Sequence, residues 1–309
     1  MRGTGRHVAI LMATCNGGRF VRDQLESIRR QDHSEWSLIV GDDGSTDQTL
    51  RKIHEFAHSN PNHAIQLRHG PRKGSTANFL HLLCDAALDT DFIALADQDD
   101  VWLPDKLSRA IAALEAAGSG PALYGARTVI VDHQLKRLGL SPLFARKPTF
   151  GNALVQNIAG GNTMVLNRKA HDLVIAAGAG LEPVCHDWWL YQLISGCGGQ
   201  VIYDPHPCLL YRQHEANQIG SNMALAGRIR RISAVLSGRF SEWNTRNIRC
   251  LRQVSHLLTD EAREILDRFE QLRHQRGFLA LTRLRGAGVY RQTAAGNASL
   301  ALAAMLGRL

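Results

Sequence analysis

The chain has 309 residues, 36 Lys and Arg against 28 Asp and Glu, and a formal net charge of +8. That sign invites a nucleic-acid reading, but its distribution argues against one: residues 1–220 hold 21 basic and 22 acidic side chains, whereas residues 221–309 hold 15 Arg, no Lys and 6 acids. With 44% hydrophobic and 21% charged residues, wholesale disorder and a coiled-coil rod are excluded, and the length suits one large α/β domain or a domain with an appendage.

Met1–Arg6 is basic, but the apolar run Val8–Ala13 is too short for a signal-peptide core and leads straight into Thr14, Cys15 and Asn16. No stretch approaches the roughly 18 apolar residues of a membrane-spanning helix. The six cysteines lie scattered without metal-ligand spacing, as expected of free thiols in a cytosolic protein.

Val8–Met12 reads as a strand, followed by a helix with Phe20, Val21, Leu25 and Ile28 about one turn apart. Trp36–Val40 is a second strand, and Gly41–Asp47 a turn that opens a helix through Phe56. Ile65–Leu67 is a short strand, Ser75–Leu88 a helix, and Phe92–Ala96 an apolar strand ending in Asp97-Gln98-Asp99-Asp100. Strand–turn–helix repetition of this kind predicts an α/β fold with a mostly parallel sheet and helices on its faces. Ligands in such sheets gather at the carboxyl ends of strands, so Thr14–Gly17, Asp42–Asp47 and Asp97–Asp100 should converge on one cleft.

Beyond Pro104 a helix through Ala117 and a strand over Ala122–Val131 are predicted, then loop-rich chain over 132–165. Thr163–Leu166 and the pair Val201–Tyr203 and Leu209–Tyr211 read as strands, and His186–Ile194 as a helix. Beyond Asn222 the pattern is helical only, so a boundary near 220 fits both pattern and charge. The predicted organisation is an α/β domain over 1–220 and an Arg-rich helical region over 221–309.

Asp97 and Asp99, at i and i+2 on extended backbone, point the same way and can share a hard cation such as Mg²⁺ or Mn²⁺. Such an ion leaves positions open for diphosphate oxygens. A solvated acidic loop is the alternative for an isolated pair, and its place after an apolar strand favours metal. Asp42 and Asp43, also at a strand end, can accept from a ribose hydroxyl or a pyrimidine imide, with Ser45 or Thr46 capping the next helix. Neither cluster matches a dinucleotide fingerprint or a phosphate loop.

Ala13–Gly17, Asp42–Asp47, Gly74 with Asn78-Phe79, and Asp97–Trp102 follow one another in an order that resembles the family 2 glycosyltransferases with the GT-A fold. Gly160–Thr163, His186–Trp189 and Tyr211–Asn217 extend the likeness to the bacterial rhamnosyltransferase-like branch, which builds surface polysaccharides. Cys15 stands where an aromatic residue is usual. The resemblance covers roughly residues 7–220. It implies that Thr14, Asn16, Asp42 and Asp43 hold the base and ribose, with Asp97 and Gln98 beside them and Asp99 as direct metal ligand. Asp187 falls at the position of the general base in an inverting transfer, where a helix N-cap is the alternative role. Arg212 would neutralise diphosphate, and His214 would complete the metal shell unless it is a bystander. Arg72 or Lys73 meets the phosphates or forms a solvated pair. Gly161 and Asn162 approach the transferred sugar, and Trp188 stacks on a sugar or joins the core, as Trp189 and Trp102 are expected to do.

Gly227–Leu236 alternates Arg with apolar residues, and Trp243, Arg246, Arg249 and Arg252 continue the theme. A helix on an anionic membrane surface has this pattern, and so does a bundle packed on the catalytic domain with a solvated basic face. The leading expectation is a metal-dependent transferase using dTDP-L-rhamnose and a saccharide or lipid-linked acceptor, cytoplasmic or peripheral on the inner face of the membrane. A UDP-hexose or UDP-N-acetylhexosamine donor is the alternative, and a non-catalytic nucleotide-sugar or glycan-binding module is the reading from another class. Retention of Asp97, Asp99, Asp187 and His214 together argues against a module, which needs no base.

Overall fold

The computed structural model describes residues 6–85, 87–213 and 238–309. Its first half alternates β1 (Val8–Thr14), α1 (Val21–Arg29), β2 (Trp36–Asp42), α2 (Thr49–Ser59), β3 (Ile65–His69), α3 (Ser75–Leu83) and β4 (Phe92–Asp97). Then come β5 (Val101–Trp102), α4 (Lys106–Ala116), β6 (Ala122–Val131), β7 (Arg137–Leu140), α5 (Phe150–Ala153), β8 (Val165–Asn167), α6 (Arg168–Ala177), α7 (His186–Gly196) and β9 (Gln200–Arg212). Four further helices follow among the described residues: α8 (Arg239–Gln253), α9 (Asp260–Arg273), α10 (Gly277–Gly286) and α11 (Ala294–Met305).

One sheet runs β3-β2-β1-β4-β8-β6-β9-β5, with β7 paired to β6. The parallel expectation holds over β3-β2-β1-β4. Beyond β4 the sheet is mixed: β8 runs antiparallel to both β4 and β6, while β6 and β9 are parallel. β1 is buried along its whole length, as a central strand covered on both faces must be. Its alternate residues serve two cores. Val8, Ile10 and Met12 pack with α1, α2 and α4, whereas Ala9, Leu11 and Ala13 pack with α3, α6 and α7. The second core continues without a break into α8–α11, through Phe240, Leu251, Phe269 and Leu309. Trp188 of α7 meets Trp243 of α8 edge-to-face, with ring centroids 6.4 Å apart.

Three elements differ from the sequence expectation. α3 stops at Leu83 rather than Leu88, where the Asp85 carboxylate accepts the Ala87 N–H at 2.9 Å and pairs with Arg68. The two short strands around Pro205 and Pro207 are one strand, β9, whose register against β6 shifts near Arg127, and such bulges tolerate proline. The loop-rich stretch over 132–165 holds β7 and α5. All six cysteines are free. No helix among the described residues is long and apolar enough to cross a membrane.

The turn between α10 and α11 lies against α5. A Cβ on Gly151 would stand 2.0 Å from the Gly288 carbonyl oxygen, and Asn152 Nδ2 donates to the Tyr290 carbonyl at 2.8 Å. Gln292 Nε2 donates to Asn152 Oδ1 at 3.2 Å. Gly151→Ala therefore pushes backbone from backbone and should cost about 1–3 kcal/mol in urea unfolding. Gly180→Ala, which meets nothing within 4 Å, should stay within about 0.5 kcal/mol of wild type. Equal midpoints for the two variants would contradict this packing.

Candidate active site

β1, β2 and β4 are parallel neighbours, and their ends bring Thr14, Asp42 and Asp97 to one edge of the sheet. The three loops are tied by side-chain bonds. Thr14 Oγ1 donates to Asp42 Oδ1 at 3.0 Å. Asn16 Oδ1 accepts from Thr46 N at 2.9 Å, and Asn16 N donates to Ser45 Oγ at 2.8 Å. Gln98 clasps Cys15 twice, accepting its N–H at 3.0 Å and donating to its carbonyl at 3.1 Å. The predicted convergence on one cleft is what these bonds produce.

Asp42 is buried and committed: it accepts from the N–H groups of Gly44 and Ser45 and from Ser45 Oγ. Asp43 is more open and accepts from Arg72 N at 3.0 Å and Gly74 N at 2.8 Å. The two carboxylates thus shape the loops after β2 and β3, and Arg72 is exposed with a left-handed φ of 57° and a side chain lying over Gly44.

The acidic cluster follows β4. Asp97, Asp99 and Asp100 each offer a carboxylate oxygen, and these atoms lie within 4.8 Å of one another. Asp100 is fully buried; it accepts from Asn162 Nδ2 at 2.5 Å and from Arg212 N at 3.3 Å. Asp97 and Asp99 remain partly open. Burial first, then the charges of Asp99 and Asp187, push the Asp97 carboxyl up to about 7, opposed by Lys106. Hard oxygen donors crowded at this spacing fit a divalent cation, whose charge relieves the repulsion.

Lys106 sits beneath this cluster and is fully buried. Its Nζ donates to the Asn162 carbonyl at 2.6 Å and lies 3.3 Å from the centroid of the Trp102 ring. Burial lowers its pKa to about 7, against the raising influence of Cys208, Asp100 and Asp97. Sequence reading passed over this residue. A signal was present: Lys106 shares the buried stripe of α4 with Leu107, Ala110, Ile111 and Leu114, where a charge needs a reason.

Asp187 lies in the first turn of α7. Its Oδ1 accepts the Trp188 N–H at 2.7 Å and its Oδ2 the Gly161 N–H at 3.3 Å. A carboxylate there is also favoured by the helix dipole. Gly161 cannot carry a side chain, because a Cβ would meet His186 Nε2 at 2.2 Å. The His186 ring stacks on Phe79 at 4.1 Å, and neither ring nitrogen has a hydrogen-bond partner among the described residues. Burial lowers its pKa, so the imidazole is neutral. Gly161 and Asn162 therefore bridge Asp187 to Asp100.

Arg212 and Trp188 occupy places other than an open sugar or phosphate subsite. The Arg212 guanidinium, 3% exposed, donates to the carbonyls of Asp99 and His133 and pairs with Asp23 at 2.8 Å. It also lies over the Phe20 ring. Trp188 is buried, and its Nε1 donates to the Ala153 carbonyl at 2.6 Å. Trp189 and Trp102 are core residues, as expected. His214, and the Gly227–Leu236 stretch, lie outside the described residues.

Comparison with known proteins places this cleft in a family. Residues 9–173 match the model of glycosyl transferase family 2. A dTDP-rhamnosyl transferase of Shigella flexneri, RfbG, is 32% identical over 72% of this chain and 78% of its own length. A UDP-Glc:alpha-D-GlcNAc-diphosphoundecaprenol beta-1,3-glucosyltransferase of Escherichia coli, WfgD, is 27% identical over 52% of this chain and 60% of its own. Among solved structures, a mannosyltransferase of Pyrobaculum calidifontis in complex with GDP-Man and Mn²⁺ aligns over 99% of this chain and 88% of its own, at 16% identity and a TM-score of 0.52. TarS of S. aureus aligns over 84% of this chain and 86% of its own, at 15% identity and a TM-score of 0.51. Those two likenesses show the GT-A fold. The chain therefore belongs to glycosyl transferase family 2.

Proposed function

We propose that the chain transfers L-rhamnose from dTDP-L-rhamnose, with inversion, to a hydroxyl of a saccharide or lipid-linked acceptor in bacterial surface polysaccharide synthesis. The observation that carries this reading is Asp187, held by the Gly161 N–H within electrostatic reach of Asp97. Similarity to the Shigella dTDP-rhamnosyl transferase supports the donor. A UDP-hexose is the second reading, supported by the weaker likeness to the UDP-Glc enzyme of Escherichia coli. The cytoplasm, where nucleotide sugars are made, is the compartment this chemistry requires, and the basic C-terminal region suits an anionic membrane.

Asp97 and Asp99 would hold a Mg²⁺ or Mn²⁺ ion, which supplies positive charge against the departing diphosphate. Thr14, Asn16, Asp42 and Asp43 line or shape the nucleotide side, and Gln98 fixes the loop between base and cation. Asp187 takes the acceptor hydroxyl proton while that oxygen attacks the anomeric carbon opposite the diphosphate. The glycosidic bond forms as the bond to the diphosphate oxygen breaks, and that oxygen keeps the electron pair. Arg212 and Asn162 serve this step at one remove, by holding the Asp99–Asp100 backbone and carboxylate.

Four outcomes are expected. With Mn²⁺ present, dTDP-L-rhamnose should raise the thermal unfolding midpoint more than UDP-sugars do; stabilisation by no nucleotide would contradict the enzyme reading. Asp187→Asn should keep donor affinity within a few-fold while lowering kcat by about 10²–10⁴, and retained turnover would remove its assignment as base. Because the Asp97 carboxyl titrates near 7, protons compete with the cation below that pH. Mn²⁺ affinity, read by electron paramagnetic resonance, should rise about tenfold from pH 6 to pH 8, and a flat profile would contradict the site. Lys106→Met removes the charge that lowers the Asp97 pKa, so the same profile should move to higher pH; an unmoved profile would make Lys106 a packing residue only.

A further inference from the structure

We propose that the hairpin of α10 and α11 is a docking surface for an anionic phospholipid bilayer. Residues 276–309 contain five Arg and no Asp or Glu. α11 has no charged residue at all, and its outward side is Ala294, Ala295, Ala298, Leu302 and Met305. Leu302, Met305 and Leu306 are 45%, 42% and 44% exposed, and Phe278 and Leu279 at the start of α10 are 78% and 52% exposed. These residues lie together, because the start of α10 packs on the end of α11: a Cβ on Gly307 would meet Arg276 Nε at 2.9 Å. The result is one apolar patch with exposed Arg276 at its border. Arg283 and Arg285, also exposed, follow Leu279 by one turn and Phe278 by two along the outward side of α10.

Five arginines of the preceding helices are spent differently. Arg252 pairs with Asp267 and Glu270, Arg263 with Asp260 and Arg268 with Glu264. Arg246 donates to the Glu182 carbonyl and Arg273 to those of Ser241 and Leu309. Arg276, Arg283 and Arg285 make no ion pair among the described residues. An apolar patch with cations and no carboxylate on its two helices matches the boundary between acyl chains and anionic headgroups, which takes both at once.

The surface is tied to α7 by side-chain hydrogen bonds through Asn152. Asn152 accepts from both Gln292 and the Tyr191 hydroxyl, at 3.2 and 2.9 Å, and Tyr191 lies one turn beyond Asp187 on α7. Docking of the hairpin therefore fixes α7 relative to the bilayer. That the bound enzyme then meets a lipid-linked acceptor rests on the transferase reading; bilayer binding itself does not.

The test is flotation of the full chain with vesicles of phosphatidylglycerol and phosphatidylcholine, and with phosphatidylcholine alone. The wild type should partition to the anionic vesicles and lose that binding in high salt. Arg276→Gln/Arg283→Gln/Arg285→Gln should bind the anionic vesicles about 100-fold more weakly, at roughly one factor of five per arginine. Phe278→Ser/Leu302→Ser, both at exposed positions, should bind them at least about tenfold more weakly. No partition by the wild type, or undiminished partition by both variants, would overturn the proposal. So would a dimer in light scattering that Phe278→Ser/Leu302→Ser splits, since the patch would then belong to a second copy. Nucleotide stabilisation measured on the same preparations keeps the two readings apart, because all three proteins should retain it whether or not they float.

Discussion

Three carboxylates whose oxygens lie within 4.8 Å of one another at the end of β4 are the constraint around which the site is arranged. Left alone, such a group repels itself and resists burial. The fold answers with partners that are themselves buried. Asn162 and the Arg212 N–H take Asp100, Arg212 Nε holds the Asp99 carbonyl, and the Lys106 ammonium lies beneath. The outward pair, Asp97 and Asp99, stays partly open.

The same partners link the cluster to the proposed base. Asn162 is bonded to Asp100, its neighbour Gly161 is bonded to Asp187, and the Asn162 carbonyl is bonded to Lys106. A short turn therefore sets the position of Asp187 relative to the acidic cluster. His186 beneath Gly161 leaves no room for a side chain at that one position of the turn. The C-terminal helices enter the same structure through Asn152, Tyr191 and Trp188, so they share a core with the catalytic half.

Much of the fold was legible because its strands are short, apolar and followed by polar turns. Val8–Met12, Trp36–Val40 and Phe92–Ala96 each fall inside an observed strand, and the convergence of their loops follows from parallel order alone. The mixed half was less legible, since antiparallel β8 has three residues and β9 hides its continuity behind two prolines. In the site, acids at strand ends announced themselves. The roles of Lys106, His186 and Arg212 did not, because each depends on what lies across the sheet rather than beside it in sequence. Arg212 reads as a free cation after a strand; only the fold reveals Asp23 and the Asp99 carbonyl closing around it. The excess of Arg beyond residue 221 is plain in the sequence, yet charge count alone cannot tell paired Arg252 from Arg283, which makes no ion pair among the described residues.

The central claim is that Asp97 and Asp99 hold a cation which in turn holds a nucleotide diphosphate. The most direct measurement is the ³¹P line width of dTDP, and of UDP, bound to the protein as Mn²⁺ is added. Direct coordination predicts severe broadening of both phosphorus resonances with the wild type and far less with Asp99→Asn. Sharp lines in the presence of saturating protein and Mn²⁺ would contradict the account.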